Sequence, residues 1–265
     1  MSTPARALPA AVHLDTTPRQ QLPGMPPKRA TLIAQRIVRA IREGRLVPGD
    51  SLPPEKDMLV AYGVGRNTLR EALRVLELQG VIVLRPGRGG GPVVARPDSR
   101  HLASTLALLM QFAQTPFRSI VETRMYLEPL TAELCAGRAD HALALEVRDS
   151  VDRMGRGLDD EQVFLDENQR FHELIAHGAG NPIFAYLLNS LDWITDGSAL
   201  GVHYPRRARK SVLDHHEAIC AAVEKHDPEA ASAAMRAHLA ETLVYYDARY
   251  SEVMDRVLTW EMYGG

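Results

Sequence analysis

The chain has 265 residues, of which 45% are hydrophobic and 24% are charged, and this is enough apolar material for two folded domains. No run of about 18 apolar residues occurs and residues 1–27 lack the apolar centre of a signal peptide, so we expect no membrane span and a cytoplasmic location. The two cysteines, Cys135 and Cys220, fall on predicted helices, where we expect free thiols rather than a disulfide.

Charge is divided unevenly along the chain. The formal net charge of −2 would by itself argue against a nucleic-acid partner. However, residues 28–98 carry 13 Lys and Arg against 7 Asp and Glu, whereas residues 99–265 carry 16 against 25. A basic amino-terminal part joined to an acidic part is typical of a DNA-binding domain followed by a ligand-binding domain.

The amino-terminal elements predict a winged helix-turn-helix. Residues 1–27 are rich in Pro, Thr and Gln and show no periodicity, which predicts a disordered leader. Apolar spacing then predicts three helices and two paired strands around a Gly- and Arg-rich tip, at Leu32–Gly44, Pro54–Ala61, Arg66–Gln79, Val81–Leu84 and Pro92–Ala95. Gly63 is a predicted left-handed cap of the second helix. In the third helix Leu69, Leu73 and Leu76 form the buried side, so its first polar residues face away from the core.

A dense motif runs through the same segment. Its residues are Gly44, Leu46, Pro48-Gly49-Asp50, Leu52-Pro53, Glu55, Val64, Arg66, Leu69-Arg70-Glu71-Ala72-Leu73, Gly87 and Gly89. With this motif, residues 28–96 resemble the DNA-binding domain of the GntR family of bacterial transcription regulators.

The resemblance implies which residues contact double-stranded operator DNA. We expect this set to be Lys56, Arg66, Asn67, Thr68, Arg70, Gly87 and Arg88. Lys56 stands where Arg is common in the family, which exchanges a bidentate contact to guanine for a single one. Gly65 replaces a frequent Ser and weakens the N-cap of the third helix.

After a short hinge at residues 97–100, the pattern is helical almost throughout. Short joints between the predicted helices favour an all-α antiparallel bundle of about six or seven helices over residues 101–262. The predicted helices are His101–Ala113, Phe117–Ala136, Asp140–Met154, Asp159–His177, Pro182–Ile194, Arg207–Lys225 and Pro228–Trp260. Asn181 and Asp227 each precede a proline and are predicted N-caps. The whole chain is therefore expected to be mainly α.

Four side chains of this bundle could meet at a metal. Asn168 and His172 lie four residues apart on one helix face, while His216 and His238 lie on two later helices. Imidazoles suit Zn, Ni, Fe or Mn, and an Asn carbonyl is a hard oxygen ligand. The spacing alone leaves the alternative open that these are polar bundle residues hydrogen-bonded to water.

A second resemblance bears on that alternative. Residues 117–245 resemble the FCD ligand-binding domain of the FadR-like branch of the GntR family, through ETRMYLEPLTAE, NQRFHELIAHGAGNP, HEAICAAV, Asp227, Ala231 and His238. The resemblance implies a divalent metal held by Asn168, His172, His216 and His238, with Asn168 in place of the usual Asp. It also implies that Arg124 pairs with an effector carboxylate, although a structural salt bridge to Glu128, four residues later, or to another helix is an alternative.

Together the resemblances imply a homodimeric transcriptional regulator and not an enzyme. We expect a repressor whose operator binding is controlled by a small organic acid beside the metal. One alternative is an acyl-CoA-responsive regulator without metal. The other is a metal-dependent enzyme in which His172, His216 and His238 activate a water.

Overall fold

A computed structural model describes residues 28–87, 90–195 and 201–260. These residues form two compact units, one holding residues up to Val94 except 78–82 and the other holding residues 78–82 and 95 onward. The predicted leader, residues 1–27, lies outside the described residues.

The first unit has the elements of a winged helix-turn-helix. They are α1 (Arg29–Glu43), α2 (Glu55–Tyr62), α3 (Arg66–Leu78), β1 (Ile82–Arg85) and β2 (Gly91–Val94). Strands β1 and β2 pair with each other, and the observed bounds of each differ from the predicted bounds by one residue. Strand β2 is also bonded to the turn before α2, where the Gly49 N–H donates to Val94 O at 2.9 Å and the Val94 N–H donates to Asp50 O at 2.8 Å.

Leucines at helical spacing form the core of this unit. Leu69, Leu73 and Leu76 of α3 are buried, as their spacing predicts. Gly63 ends α2 with φ of 61° and ψ of 45°, the left-handed conformation predicted for it. This cap turns the chain between α2 and α3, so that the first residues of α3 are presented outward.

The second unit is built from helices. Eight helices occur among its described residues, seven long and one short, namely α4 (Ser99–Phe112), α5 (Arg118–Arg138), α6 (His141–Arg156), α7 (Glu161–Gly178), α8 (Pro182–Thr195), α9 (Arg206–Glu224), α10 (Pro228–Arg249) and α11 (Ser251–Met254). The predicted caps are confirmed, since the Asn181 side chain accepts from the Ile183 N–H at 3.1 Å and Asp227 accepts from the Ala230 N–H at 3.0 Å. Asp98 caps α4, which therefore begins within the predicted hinge.

The last predicted helix, Pro228–Trp260, is wrong at its end. Helix α10 stops at Arg249, because Tyr250 leaves the helical region with φ of −135° and ψ of 33°. The Tyr250 hydroxyl donates to His203 O at 2.9 Å, and the Phe117 N–H donates to Arg256 O at 3.0 Å. These are contacts with distant parts of the chain, so no local pattern marks the break.

Helix α5 lies at the centre of the second unit. It packs against α7, α8, α9 and α10. The core contains Phe171, Ile175, Met235 and both cysteines, which are free thiols as predicted. Within the described ranges, every helix is too short or too polar to cross a lipid bilayer. The arrangement brings one face each of α5, α7, α9 and α10 together.

Candidate functional site

The polar start of α3 forms one candidate interface. Arg66, Asn67 and Arg70 are exposed and Thr68 is half-buried, opposite the buried leucines. Lys56 is exposed on α2, and Gly87 is exposed beyond β1, whereas Arg88 lies outside the described residues. Exposed arginine, lysine and amide groups at a helix start are the groups that read base edges and phosphates in a major groove.

Glu55 lies next to Arg70 within this interface. Its Oε1 is 3.6 Å from the Arg70 Nε, and both side chains are largely solvent-exposed. An ion pair of this length in water contributes little to stability. The pair therefore leaves Arg70 able to exchange Glu55 for a base or a phosphate.

Three histidines meet inside the helical unit. His172 of α7, His216 of α9 and His238 of α10 are all buried, and one ring nitrogen of each lies within 4.8 Å of the others. The ring of His216 stacks on Phe171 with centroids 3.9 Å apart, which fixes its plane. The structure thus brings together the three histidines that the sequence selected.

The protonation state of two of these rings suits a metal. Burial lowers the pKa of His216 and of His238 well below the ordinary value, and the neighbouring histidines lower it further. Both ring nitrogens of His216 and the Nδ1 of His238 are buried without a hydrogen-bond partner among the described residues. Buried imidazole nitrogens normally have a partner, so these neutral rings retain lone pairs that a metal ion can accept.

Glu128 orients the third histidine. Its Oε2 lies 2.6 Å from the His172 Nδ1, and its Oε1 accepts from the Arg124 Nε. A carboxylate on one ring nitrogen leaves the other, Nε2, for a metal and fixes the ring orientation. Burial by itself would raise the pKa of Glu128, but the Arg124 guanidinium and the contact with His172 outweigh burial and hold that pKa below its ordinary value.

Arg124 has a second carboxylate partner. Its Nη2 lies 3.0 Å from the Asp192 Oδ1 of α8, and both side chains are largely buried. Burial by itself would lower the pKa of Arg124, but Asp192 and Glu128 outweigh it and raise the pKa. Burial raises the pKa of Asp192 to about 6, although Arg124 opposes that rise. The alternative for Arg124, a salt bridge to Glu128 or to another helix, is thus observed in both forms. The sequence could not name Asp192 as the second partner, because no spacing links it to Arg124.

A polar cavity adjoins the histidines and Arg124. The empty space in and around it is about 850 Å³, which includes open solvent. Asn168 is half-buried on its wall with His172, in the arrangement that their four-residue spacing predicts. The lining side chains are largely polar: Arg124, Gln162, Leu165, Asp166, Asn168, Gln169, His172, Asp192, Tyr204, Val212, His238, Leu239, Thr242 and Tyr246. The cavity can therefore accept a hydrogen-bonding molecule next to two of the three histidines.

Comparison with protein families accounts for both units. Residues 29–90 match the bacterial regulatory proteins of the gntR family, and residues 119–241 match the FCD domain. The chain belongs to the GntR family and carries an FCD domain. This GntR-family protein is a DNA-binding transcriptional regulator, and the alternative of a metal-dependent enzyme is set aside. The FCD match spans Arg124 and every residue of the histidine site.

Individual relatives agree with this membership. The chain is 27% identical over 220 residues to the HTH-type transcriptional repressor NanR of Klebsiella aerogenes, covering 80% of this chain and 83% of that protein. It is 29% identical over 228 residues to the uncharacterized HTH-type transcriptional regulator YcbG of Bacillus subtilis, covering 86% and 91%. The solved structure of Streptococcus agalactiae GntR shares the fold, with a TM-score of 0.68 and 24% identity over 82% of this chain and 99% of that one.

Proposed function

We propose that this GntR-family regulator is a homodimeric repressor whose operator affinity is controlled by a small carboxylate effector bound beside a divalent metal ion. The observation that carries the proposal is the group of three buried histidines next to the cavity that Arg124 lines. Relatives named as NanR repressors support the repressor part of the proposal.

The residues that would hold the metal are His172, His216 and His238, with the Asn168 amide oxygen as a fourth ligand. The unpartnered ring nitrogens of His216 and His238 support this assignment. So does the Glu128 carboxylate behind His172, which is a common second partner of metal-binding histidines. A bound Zn, Ni, Mn or Fe ion would supply a positive, Lewis-acidic contact for an oxygen of the effector.

The lining of the cavity favours a small acid over an acyl-CoA. Gln162, Asp166, Asn168 and Gln169 contribute amide and carboxylate groups to its wall. Asp166 and Gln162 pair with each other, but a fatty acyl chain would remove water from this carboxylate and the amides beside it, which is costly. The Arg124 guanidinium contacts Glu128 and Asp192, and it can donate two parallel hydrogen bonds to an effector carboxylate that takes the place of one of them.

Two copies of the chain would give the symmetry that operator binding needs. Helix-turn-helix dimers place two recognition helices about 34 Å apart in successive major grooves. Large apolar side chains are exposed on α4 and α8, including Leu109, Phe112 and Ile183, and exposed apolar groups of this size are typical of interaction surfaces. We infer that these two helices contribute to the dimer interface.

The experiment that tests the proposal measures operator affinity. An operator is selected from random DNA with the full-length protein, and its affinity is measured by fluorescence anisotropy with a panel of hydroxy, keto and dicarboxylic acids, with metal and with chelator. We expect at least one acid to weaken operator binding in the presence of metal and to have no effect after chelation.

A pair of histidine variants separates the metal site from its surroundings. His216→Ala removes a proposed ligand, whereas His215→Ala removes the neighbouring half-buried histidine, which contacts Glu241 at 2.8 Å. The acid response should be lost in the first variant and retained in the second. An acid response that survives in His216→Ala would contradict the proposal.

A further inference from the structure

The two carboxylates on Arg124 differ in their access to the cavity. Glu128 is held through both oxygens, one at Arg124 and the other at His172, and it does not line the cavity. Asp192 also pairs with Arg124, but it lines the cavity wall together with His172 and His238. A carboxylate that enters the cavity toward Arg124 therefore meets Asp192 and not Glu128.

An entering carboxylate and the Asp192 carboxylate would repel each other at Arg124. Arg124 has one positive charge and already faces two carboxylates, all three side chains being largely buried. A third carboxylate at the same guanidinium would be repelled strongly, because charge interactions are poorly screened away from water. Withdrawal of the Asp192 carboxylate would remove this repulsion and make its position on Arg124 available to an acidic effector.

We propose that Asp192 is a built-in competitor that occupies the carboxylate position on Arg124 until an acidic effector displaces it. The inference rests on the proposed function, because it assigns Arg124 to the effector carboxylate. Asp192 then sets a minimum binding free energy for an effector, which must offset the loss of the contact between Asp192 and Arg124. Neutral molecules and weakly binding anions therefore do not displace Asp192.

Asp192 lies on a helix that packs against α4, the first helix of the second unit. That helix is α8, and Asp192 lies in its last turn. Helix α4 begins at Ser99, directly after the winged helix-turn-helix in sequence. Withdrawal of Asp192 therefore changes a contact of the helix that lies against α4, whereas the histidines lie on α7, α9 and α10.

The test compares two acidic residues that line the same cavity. Asp192→Asn keeps the shape of the side chain and removes its charge. Asp166→Asn is the matched control, since Asp166 lines the cavity and accepts from the Gln162 amide at 2.8 Å. The full-length, metal-loaded proteins are titrated with glycerate by calorimetry, with glycerol as the probe that lacks a carboxylate.

We expect Asp192→Asn to bind glycerate at least about tenfold more tightly than the unchanged protein, because a like charge has been removed from the binding position. Asp166→Asn should gain clearly less than Asp192→Asn, because Asp166 accepts from Gln162 whereas Asp192 contacts the Arg124 guanidinium, and glycerol should show no gain in either variant. Asp192→Ala, which removes the competing group altogether, should gain at least as much as Asp192→Asn.

The outcomes separate this inference from the proposed function. If all proteins bind metal and glycerate but the Asp192 variants bind glycerate equally or more weakly, the competitor role is wrong and the proposed function stands. If none binds metal or glycerate, both proposals fail. If both Asp192 variants fail to fold, Asp192 is required for the fold and cannot be a group that a ligand displaces.

Discussion

If the proposed metal site is correct, the residue at position 168 should affect how strongly it binds a metal. Asn168 offers a neutral oxygen where the family usually has a carboxylate. We expect Asn168→Asp to bind a divalent metal about tenfold more tightly, since the new ligand is an anion in a partly desolvated site. Calorimetric titration of chelator-treated protein with Zn or Mn measures the change.

A second variant tests whether position 168 supplies a metal ligand. Asn168→Ala removes the oxygen and should weaken metal binding relative to the unchanged chain. If Asn168→Asp and Asn168→Ala bind metal equally well, position 168 does not supply a ligand.

The buried histidines also predict how stability depends on pH. The pKa of His216 and of His238 in the folded chain lies well below 6.5, so only the unfolded chain binds protons as the pH falls through 6.5. Each histidine should therefore cost up to about 1.4 kcal/mol of unfolding free energy per pH unit below that value. Asp192 acts in the opposite direction, because its raised pKa lets the folded chain bind a proton as the pH falls through about 6.

The net result is a loss of stability between pH 7 and pH 5 in the metal-free protein, since two histidines outweigh one carboxylate. Urea unfolding at several pH values measures it. His216→Asn should remove about half of the histidine contribution, while His215→Asn should leave it in place. A stability that is flat or rises on acidification would show that the two rings are not held neutral.

The sequence was a good guide to some of these residues and not to others. His172, His216 and His238 could be predicted because they match a family pattern and because four-residue spacing places Asn168 and His172 on one face. Glu128 could be predicted only as a partner of Arg124. Its contact with His172 and the contribution of Asp192 depend on how α5, α7 and α8 pack, which no local pattern records.

At the level of elements, the turn between α2 and α3 depends on one glycine. Gly63 has φ of +61°, and an added Cβ there would meet nothing within 4 Å, so any side chain would suffer backbone strain alone. We expect Gly63→Ser to lower the unfolding free energy by about 1–2 kcal/mol. Chemical denaturation of the full-length protein, followed by circular dichroism, measures the change.

The matched control for Gly63 lies two residues later. An added Cβ at Gly65 also meets nothing within 4 Å, but its φ is not in the left-handed region. Because Ser is a good N-cap, Gly65→Ser should be neutral or stabilise α3 by a few tenths of a kcal/mol. Equal destabilisation by the two serines would contradict the role of the Gly63 cap.

Helix α3 carries the prediction for DNA recognition. Arg70→Ala should cost about 1–3 kcal/mol of operator binding at one base position if Arg70 reads a guanine. The control is Arg74→Ala, one turn further along α3 and also exposed. Anisotropy measurements on operator and random DNA distinguish the roles, because an equal loss on both would make Arg70 a phosphate contact instead.

Element bounds were predictable wherever a local signal marks them. Gly63, Asn181 and Asp227 act through their own backbone or the next few residues, and each cap was found where the sequence predicts it. The end of α10 was missed, because it depends on the contact of Tyr250 with His203, 47 residues away.

At the level of the whole molecule, the DNA-binding domain and the FCD domain carry charge excesses of opposite sign. The basic excess lies in the winged helix-turn-helix, and the acidic excess lies in the FCD domain that carries the histidine site. Operator binding should therefore be strongly salt-dependent, whereas metal binding inside the buried site should not be.

The metal stoichiometry of the full-length protein tests the proposed histidine site most directly. Chelator-treated protein is titrated with Zn by calorimetry, beside His216→Ala and the neighbouring control His215→Ala. We expect one divalent ion per chain in the unchanged protein and in the control, and none in His216→Ala. No binding by the unchanged protein, or equal binding by all three, would contradict a metal held by His172, His216 and His238.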